Sequence, residues 1–338
     1  MNDYYCILIT ILVKKGNNVV QLVNHLASEE VMRLVTRSDF DGLACAVLLV
    51  EKGIVDSYQF VHPKDIQDGK VEVNDNDVLA NVPYIPGCKM WFDHHISENE
   101  RLEIAELKYE GLSKQAPSAA QLIWEYYGGE KGFHKRFLPL IAAVNKTDSG
   151  DLTKDEILHP EGWILLSFMM DARTGLGRFR DYRISNYQLM EDMINYCREL
   201  SVEEIISIPD VQERIKRYFD QQDLFVKMIE KHSRIEQNII ITDLKSEETI
   251  FSGNRFIVYA LFPDQNVDIR IMWGKEQQNV VFACGHSVLN RTCKTNIGNL
   301  MLQYGGGGHQ MVGTCQVPSE SWEDSLTSLV DTIKGNEI

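Results

Sequence analysis

Short apolar runs and helical stretches alternate along the first part of the chain. Residues 31–36 form a β-prone run that ends in the polar cluster Arg37-Ser38-Asp39-Phe40-Asp41-Gly42. Residues 43–52 then carry a helical pattern, with Gly53 placed to close it. Further strand patterns fall at 57–61, 77–82 and 89–92, and Asp93-His94-His95 stops the last one. Residues 115–127 and 135–146 read as helices. Strands alternating with helices predict a mostly parallel sheet with covered faces. Polar residues just past the carboxyl ends of such strands face the ligand crevice, and Asp39/Asp41 and Asp93/His94/His95 both occupy such positions.

The pattern changes at residue 185. Residues 185–198 and 210–232 have helical periodicity, many charges and no glycine, and read as connecting helices. Strand-like runs follow at 239–242, 255–262, 267–273 and 280–284, then a short helix at 296–304, a glycine run at 305–308, a strand at 314–317 and a helix at 321–334. The expected architecture is α/β. A mostly parallel sheet domain over 1–184 is joined by connecting helices over 185–236 to a smaller α+β domain over 237–338, with a cleft between them. The apolar run near the N-terminus is too short to span a bilayer. Asp3 stands where a signal peptide carries positive charge, so this run is expected to form a short strand or helix against the body.

Composition narrows the function classes. With 44% hydrophobic and 25% charged residues among 338, the chain can bury a sizeable core. A net charge of −15 argues against a broad phosphate-tracking surface, so long duplex nucleic acid is not an expected partner. A short phosphorylated substrate held by a few cations stays open. The seven cysteines are scattered, odd in number and without a CxxC pair, which excludes a disulfide framework or a zinc finger. Reduced thiols and the lack of any stretch of transmembrane length point to a cytoplasmic protein with no membrane partner.

Four groups of residues carry candidate chemistry. Asp93-His94-His95 concentrates a carboxylate and two imidazoles, a ligand source for a transition metal. Neighbouring side chains on a strand point opposite ways, so the two histidines divide their tasks unless the chain turns there. Asp39 and Asp41 are two apart at a strand end. Buried together they repel unless a cation lies between them. Asp148 ends an apolar helix and offers a further carboxylate. Gly305, Gly306, Gly307 and Gly308 precede His309, and successive free amides there would form an anion nest. Arg173, Arg178, Arg180 and Arg183 cluster in one short stretch, available either to phosphate or to Asp171 and Asp181.

In this order, Asp39-x-Asp41-Gly42, Asp93-His94-His95, Asp148 and the 305–309 run resemble the signatures of DHH phosphoesterases with the DHH-associated C-terminal domain. RecJ exonucleases, family II inorganic pyrophosphatases and the nanoRNA and cyclic-dinucleotide phosphodiesterases belong to that family, and the exopolyphosphatase-related branch is most like this chain. The resemblance extends over most of the sequence, from residue 30 to residue 330. It implies a two-domain clamp holding two Mn²⁺ ions, with Mg²⁺ as a substitute. Asp39, Asp41, His94 and Asp148 are then the metal ligands and His95 a substrate-phosphate contact. Asp93 is a carboxylate that orients a histidine. His309 and the glycine amides bind the far end of the substrate, and Arg291 resembles the substrate-binding arginine of the second domain.

Two positions depart from the family pattern. Arg37 stands where many relatives carry His or Asp, and Asn81 stands where a bridging aspartate is usual. Arg cannot ligate a metal and neutral Asn bridges cations poorly, which leaves one or two ions open and gives Arg37 and His95 part of the charge stabilisation. The expected activity is metal-dependent hydrolysis of a phosphoester or phosphoanhydride bond in a small substrate: a short oligonucleotide, a dinucleotide, pAp or polyphosphate. The competing expectation is a catalytically weakened nucleotide-binding or regulatory module on the same scaffold. A homodimer is compatible with either.

Overall fold

The computed structural model describes residues 32–62, 65–66, 68–95 and 109–337. The N-terminal apolar run and Cys6 lie outside these residues.

The first sheet has five strands in the order β2-β1-β3-β4-β5, all parallel: β1 Met32–Arg37, β2 Val55–Val61, β3 Asp77–Ala80, β4 Met90–Asp93 and β5 Glu110–Ser113. Strand alternation divides its core. Leu34, Val78, Ala80, Met90 and Phe92 face one side, where they join helix α1 (Phe40–Glu51), α2 (Ala119–Tyr126) and α3 (Leu138–Asp148). Val35, Leu79 and Trp91 face the other, packed with Val61, Ile66, Val82 and Cys88. Burial on both faces is why these strands read as continuous apolar runs. Gly53, at φ +69°, takes the left-handed turn that ends α1, as the sequence predicts. Helices α4 (Lys154–Leu158) and α5 (Gly162–Met170) carry no periodicity that marks them in the sequence. The last six residues of α5 are buried, so no polar face distinguishes it.

Helices α6 (Asn186–Glu199), α7 (Val202–Ser207) and α8 (Pro209–His232) lead to the second sheet. It has six strands in the order β10-β11-β9-β8-β7-β6: β6 Ser233–Glu236, β7 Ile239–Asp243, β8 Val267–Trp273, β9 Asn279–His286, β10 Gly307–His309 and β11 Val312–Pro318. Its own core gathers Ile241, Ile269, Phe282, Met301 and Leu329 under α10 (Ile297–Leu302) and α11 (Trp322–Glu337). The sheet begins at Ser233, inside the stretch expected to be only connecting helix.

The strand expected over 255–262 is instead a helix, α9 (Ile257–Leu261). Asn254 decides this: its Oδ1 accepts from Phe256 N at 3.0 Å, closing a turn, while its Nδ2 donates to Ile157 O and Tyr218 Oη. Ile257, Val258, Tyr259 and Ala260 then pack into the core of the first sheet's helices. Apolar residues thus bind the two sheets together, and no helix among the described residues is long and apolar enough to cross a membrane.

Candidate active site

The carboxyl ends of β1 and β4 and the end of α3 converge. Asp41 sits in the first turn of α1 and is 2% exposed. Its Oδ2 accepts from Ala119 N at 2.8 Å and its Oδ1 from Ala120 N at 2.9 Å, so the first turn of α2 fixes the carboxylate. Burial, together with the charge of Asp148, pushes the Asp41 carboxyl up to about 7. A carboxylate so disfavoured by desolvation and like charge calls for a cation.

His94 supplies the complementary ligand. Its Nδ1 lies 3.2 Å from Ala116 O, a carbonyl that can only accept, so Nδ1 carries a proton and Nε2 is the ring nitrogen left to meet a ligand. That Nε2 is buried and has no hydrogen-bond partner. It lies 3.2 Å from Asp148 Oδ2 and 3.7 Å from Asp41 Oδ2, without hydrogen-bond geometry to either. One ligand atom each from Asp41, His94 and Asp148 falls within a 4.8 Å set. Two carboxylates around an orphaned imidazole nitrogen fit a divalent ion.

Beyond Asp93 the chain leaves the strand, so the two histidines do not point apart: their rings lie 4.2 Å apart, centre to centre. Asp93 is fully buried and its Oδ1 is 2.6 Å from His95 Nδ1. Burial works against a charged His95, but the hydrogen bond and charge of Asp93 hold the imidazole up at about 9. His95 is therefore cationic near neutrality, with Nε2 aimed away from Asp93. Its ring stacks on His309 at 4.8 Å, where burial and the charge of His95 push the His309 imidazole down to about 4. The stack brings the glycine-run histidine onto the metal-site edge.

Asp39 is placed differently from the other candidate ligands. It caps α1, accepting from Gly42 N at 3.0 Å on Oδ1. The same oxygen accepts from Asn81 Nδ2 at 3.0 Å, and Oδ2 meets Arg37 Nε at 2.9 Å. Burial raises the Asp39 carboxyl and Arg37 opposes that rise. Asn81, which holds φ +55°, thus donates toward a carboxylate with the very group that prevents it from bridging metals.

The glycine run does not form an open nest. Gly305 N donates to Leu302 O and Gly306 N to Met301 O, closing α10, while Gly307 and Gly308 pair with β11 as an edge strand. A Cβ on Gly306 would stand 2.0 Å from Thr314 O, so close packing explains that glycine better than anion binding does. Arg291 also has other work: its Nη2 donates to Gly150 O at 2.8 Å and lies 3.3 Å from Ser149 O, tying the second sheet's loop to the turn after Asp148. Of the four arginines between 173 and 183, Arg173 donates from Nε to Asp171 at 2.7 Å, Arg178 donates to Gly175 O and Ser252 Oγ, and Arg183 pairs with Asp210.

A pGpG-specific phosphodiesterase, PggH from Vibrio cholerae, shares 47% of its sequence with this chain; the match covers 90% of this chain and 99% of PggH, with a TM-score of 0.76. The chain belongs to the DHH phosphoesterase family. RecJ from Thermus thermophilus, solved with Mn²⁺, shares the fold at a TM-score of 0.50 and 11% identity, over 93% of this chain and 54% of RecJ. No protein-family model and no curated protein matches the sequence. As a DHH protein, the chain is a hydrolase of phosphoester bonds in a small substrate. The parallel sheet and second mixed sheet are those of the family.

Proposed function

We propose that this DHH enzyme cleaves a 5′-phosphorylated dinucleotide of the pGpG class, using one divalent ion, Mn²⁺ or Mg²⁺, held by Asp41, His94 and Asp148. The observation that carries this reading is the buried Nε2 of His94, directed without a partner between two carboxylates, in a chain 47% identical to PggH. Asp41, His94 and Asp148 would hold the ion, which would supply water activation and charge neutralisation at the phosphate. The cationic His95, oriented by Asp93, donates to a phosphate oxygen. Arg37 serves as a fixed positive charge beside Asp39, in the place of a second cation. His309 closes the cleft over the substrate from the second sheet, and Arg291 keeps the two halves in register. The chain divides into a metal-binding domain over 1–184, connecting helices over 185–232 and a second domain over 233–338, which takes in strand β6. We place the enzyme in the cytoplasm.

Asp39 motivates a second reading. Its carboxylate is taken up by Gly42, Asn81 and Arg37, and a site short of ligands would suit a nucleotide-binding module with weak catalysis. Turnover separates the two. Purified protein is incubated with pGpG, longer oligonucleotides, pAp and polyphosphate, with Mn²⁺ and with chelator. Release of 5′-GMP from pGpG, abolished by chelator, supports the enzyme. Tight pGpG binding with no turnover on any substrate supports the module.

A further inference from the structure

We propose that Arg270, on β8, is a specificity-determining residue that reads a guanine base of the substrate, donating from its terminal fork to the adjacent acceptors O6 and N7. The proposal rests on the dinucleotide reading of the active site and adds to it a residue of the second sheet. Strand register places the side chain. His309, whose ring stacks on His95 at 4.8 Å, lies opposite Val312 on β11. Val312 lies opposite Gly285 on β9, and Gly285 opposite Asp268 on β8. Directly opposed residues present their side chains on one face of a sheet, so this row shares the face that meets the metal site. Arg270, two residues beyond Asp268, is on the same face. Its own row runs through Ala283 and Thr314 to Gly307. Strands lie about 4.8 Å apart, which puts the Arg270 backbone about 14 Å from β10.

Burial across this face shows where an open floor begins. Ile240 and Thr242 on β7 are fully buried. Arg270, Val281 and Ala283 are half-buried, and Thr314 and Gln316 on β11 are exposed. Arg270 thus stands at the inner wall of a floor of small side chains. No hydrogen bond or ion pair among the described residues engages its guanidinium: Nε is buried without a partner, and the two terminal nitrogens are accessible and equally free. A largely buried cation costs free energy unless something pairs with it. Asp268, its neighbour on the face, instead accepts from Tyr259 Oη on Oδ1. The surroundings select a base over a phosphate. Val281, Ala283 and Gly285 bring no side-chain donor and suit the flat face of a ring, and the Asp268 carboxylate repels an anion. Guanine offers O6 and N7 together to an arginine fork, whereas adenine puts an amino donor in the place of O6.

The test compares wild type, Arg270→Met and Arg270→Lys in the full chain. Calorimetry with Mn²⁺ present gives the Kd for 5′-GMP and for 5′-AMP, which carry the same phosphate and differ only in the base. The ratio of kcat/KM on pGpG to that on pApA is measured alongside, with melting temperature. Wild type is expected to prefer the guanine ligand by at least about tenfold in both comparisons. Arg270→Met should lose that preference and melt no lower than wild type, because the cation removed had no partner. Lysine, a point charge without the planar fork, recovers only part of the preference. A methionine variant that keeps the wild-type preference overturns the proposal. So does a wild type that binds both nucleotides alike, or a variant weakened equally toward both, which would assign Arg270 to the phosphate or to the fold. If the wild type leaves pGpG uncut, the dinucleotide reading fails, and the two nucleotide titrations still decide Arg270.

Discussion

Arg37 Nε stands 2.9 Å from Oδ2 of Asp39, and in the one-ion reading proposed above this pair withdraws from the metal a carboxylate that the sequence motif assigns to it. The consequence can be counted. Wild-type protein dialysed against Mn²⁺ is expected to retain one ion per chain by elemental mass spectrometry. The double variant Arg37→His, Asn81→Asp supplies a ligand in place of the cation and frees Asp39, and is expected to retain two. Two ions in the wild type would refute the role given to Arg37.

His94→Ala removes the one neutral ligand and leaves Asp41 and Asp148 facing each other. Losing an outer hydrogen-bond partner of a metal ligand costs ~10–100-fold in affinity, and loss of the ligand itself should exceed that. Calorimetric titration with Mn²⁺ measures it. An unchanged Mn²⁺ affinity would show that the ion sits elsewhere.

The state of Asp41 sets a pH dependence. Its carboxyl is raised to about 7 by burial and by Asp148. The protonated form is therefore favoured in the metal-free protein below that pH, and the stability it contributes is lost as pH rises from the ordinary carboxyl range through about 7. Binding a cation requires the deprotonated form, so protons compete with metal. The rise in melting temperature on adding Mn²⁺ should be small near pH 5 and grow through neutrality to pH 8. A shift that is flat across this range would contradict the proton competition.

Much of this candidate site could be read in the sequence because its residues lie at ends of strongly patterned elements. The apolar run of β4 stops at Asp93, and α3 stops at Asp148. What could not be read depends on contacts between distant segments. Asn81 appears in sequence as a failed ligand, but its amide is a donor to Asp39, 42 positions away. The run 255–262 looks like a strand until Asn254 closes a turn against Ile157 and Tyr218. Four glycines suggest free amides, whereas the amides of Gly305 and Gly306 close α10, and Gly307 and Gly308 lie in a strand beside β11.

The glycine run offers a prediction that separates packing from anion binding. A Cβ at position 306 would meet Thr314 O at 2.0 Å and the Cys315 side chain at 2.6 Å, and backbone cannot yield as a flexible side chain can. Gly306→Ala should therefore destabilise the protein by ~1–3 kcal/mol in a denaturant titration, the usual penalty of overpacking. His309→Ala should leave bound manganese unchanged while raising KM on pGpG, because it removes the ring stacked on His95. If the alanine at 306 were thermodynamically neutral and instead weakened substrate binding, the run would be an anion cradle after all. Comparing both variants by melting temperature, metal content and KM distinguishes the two readings.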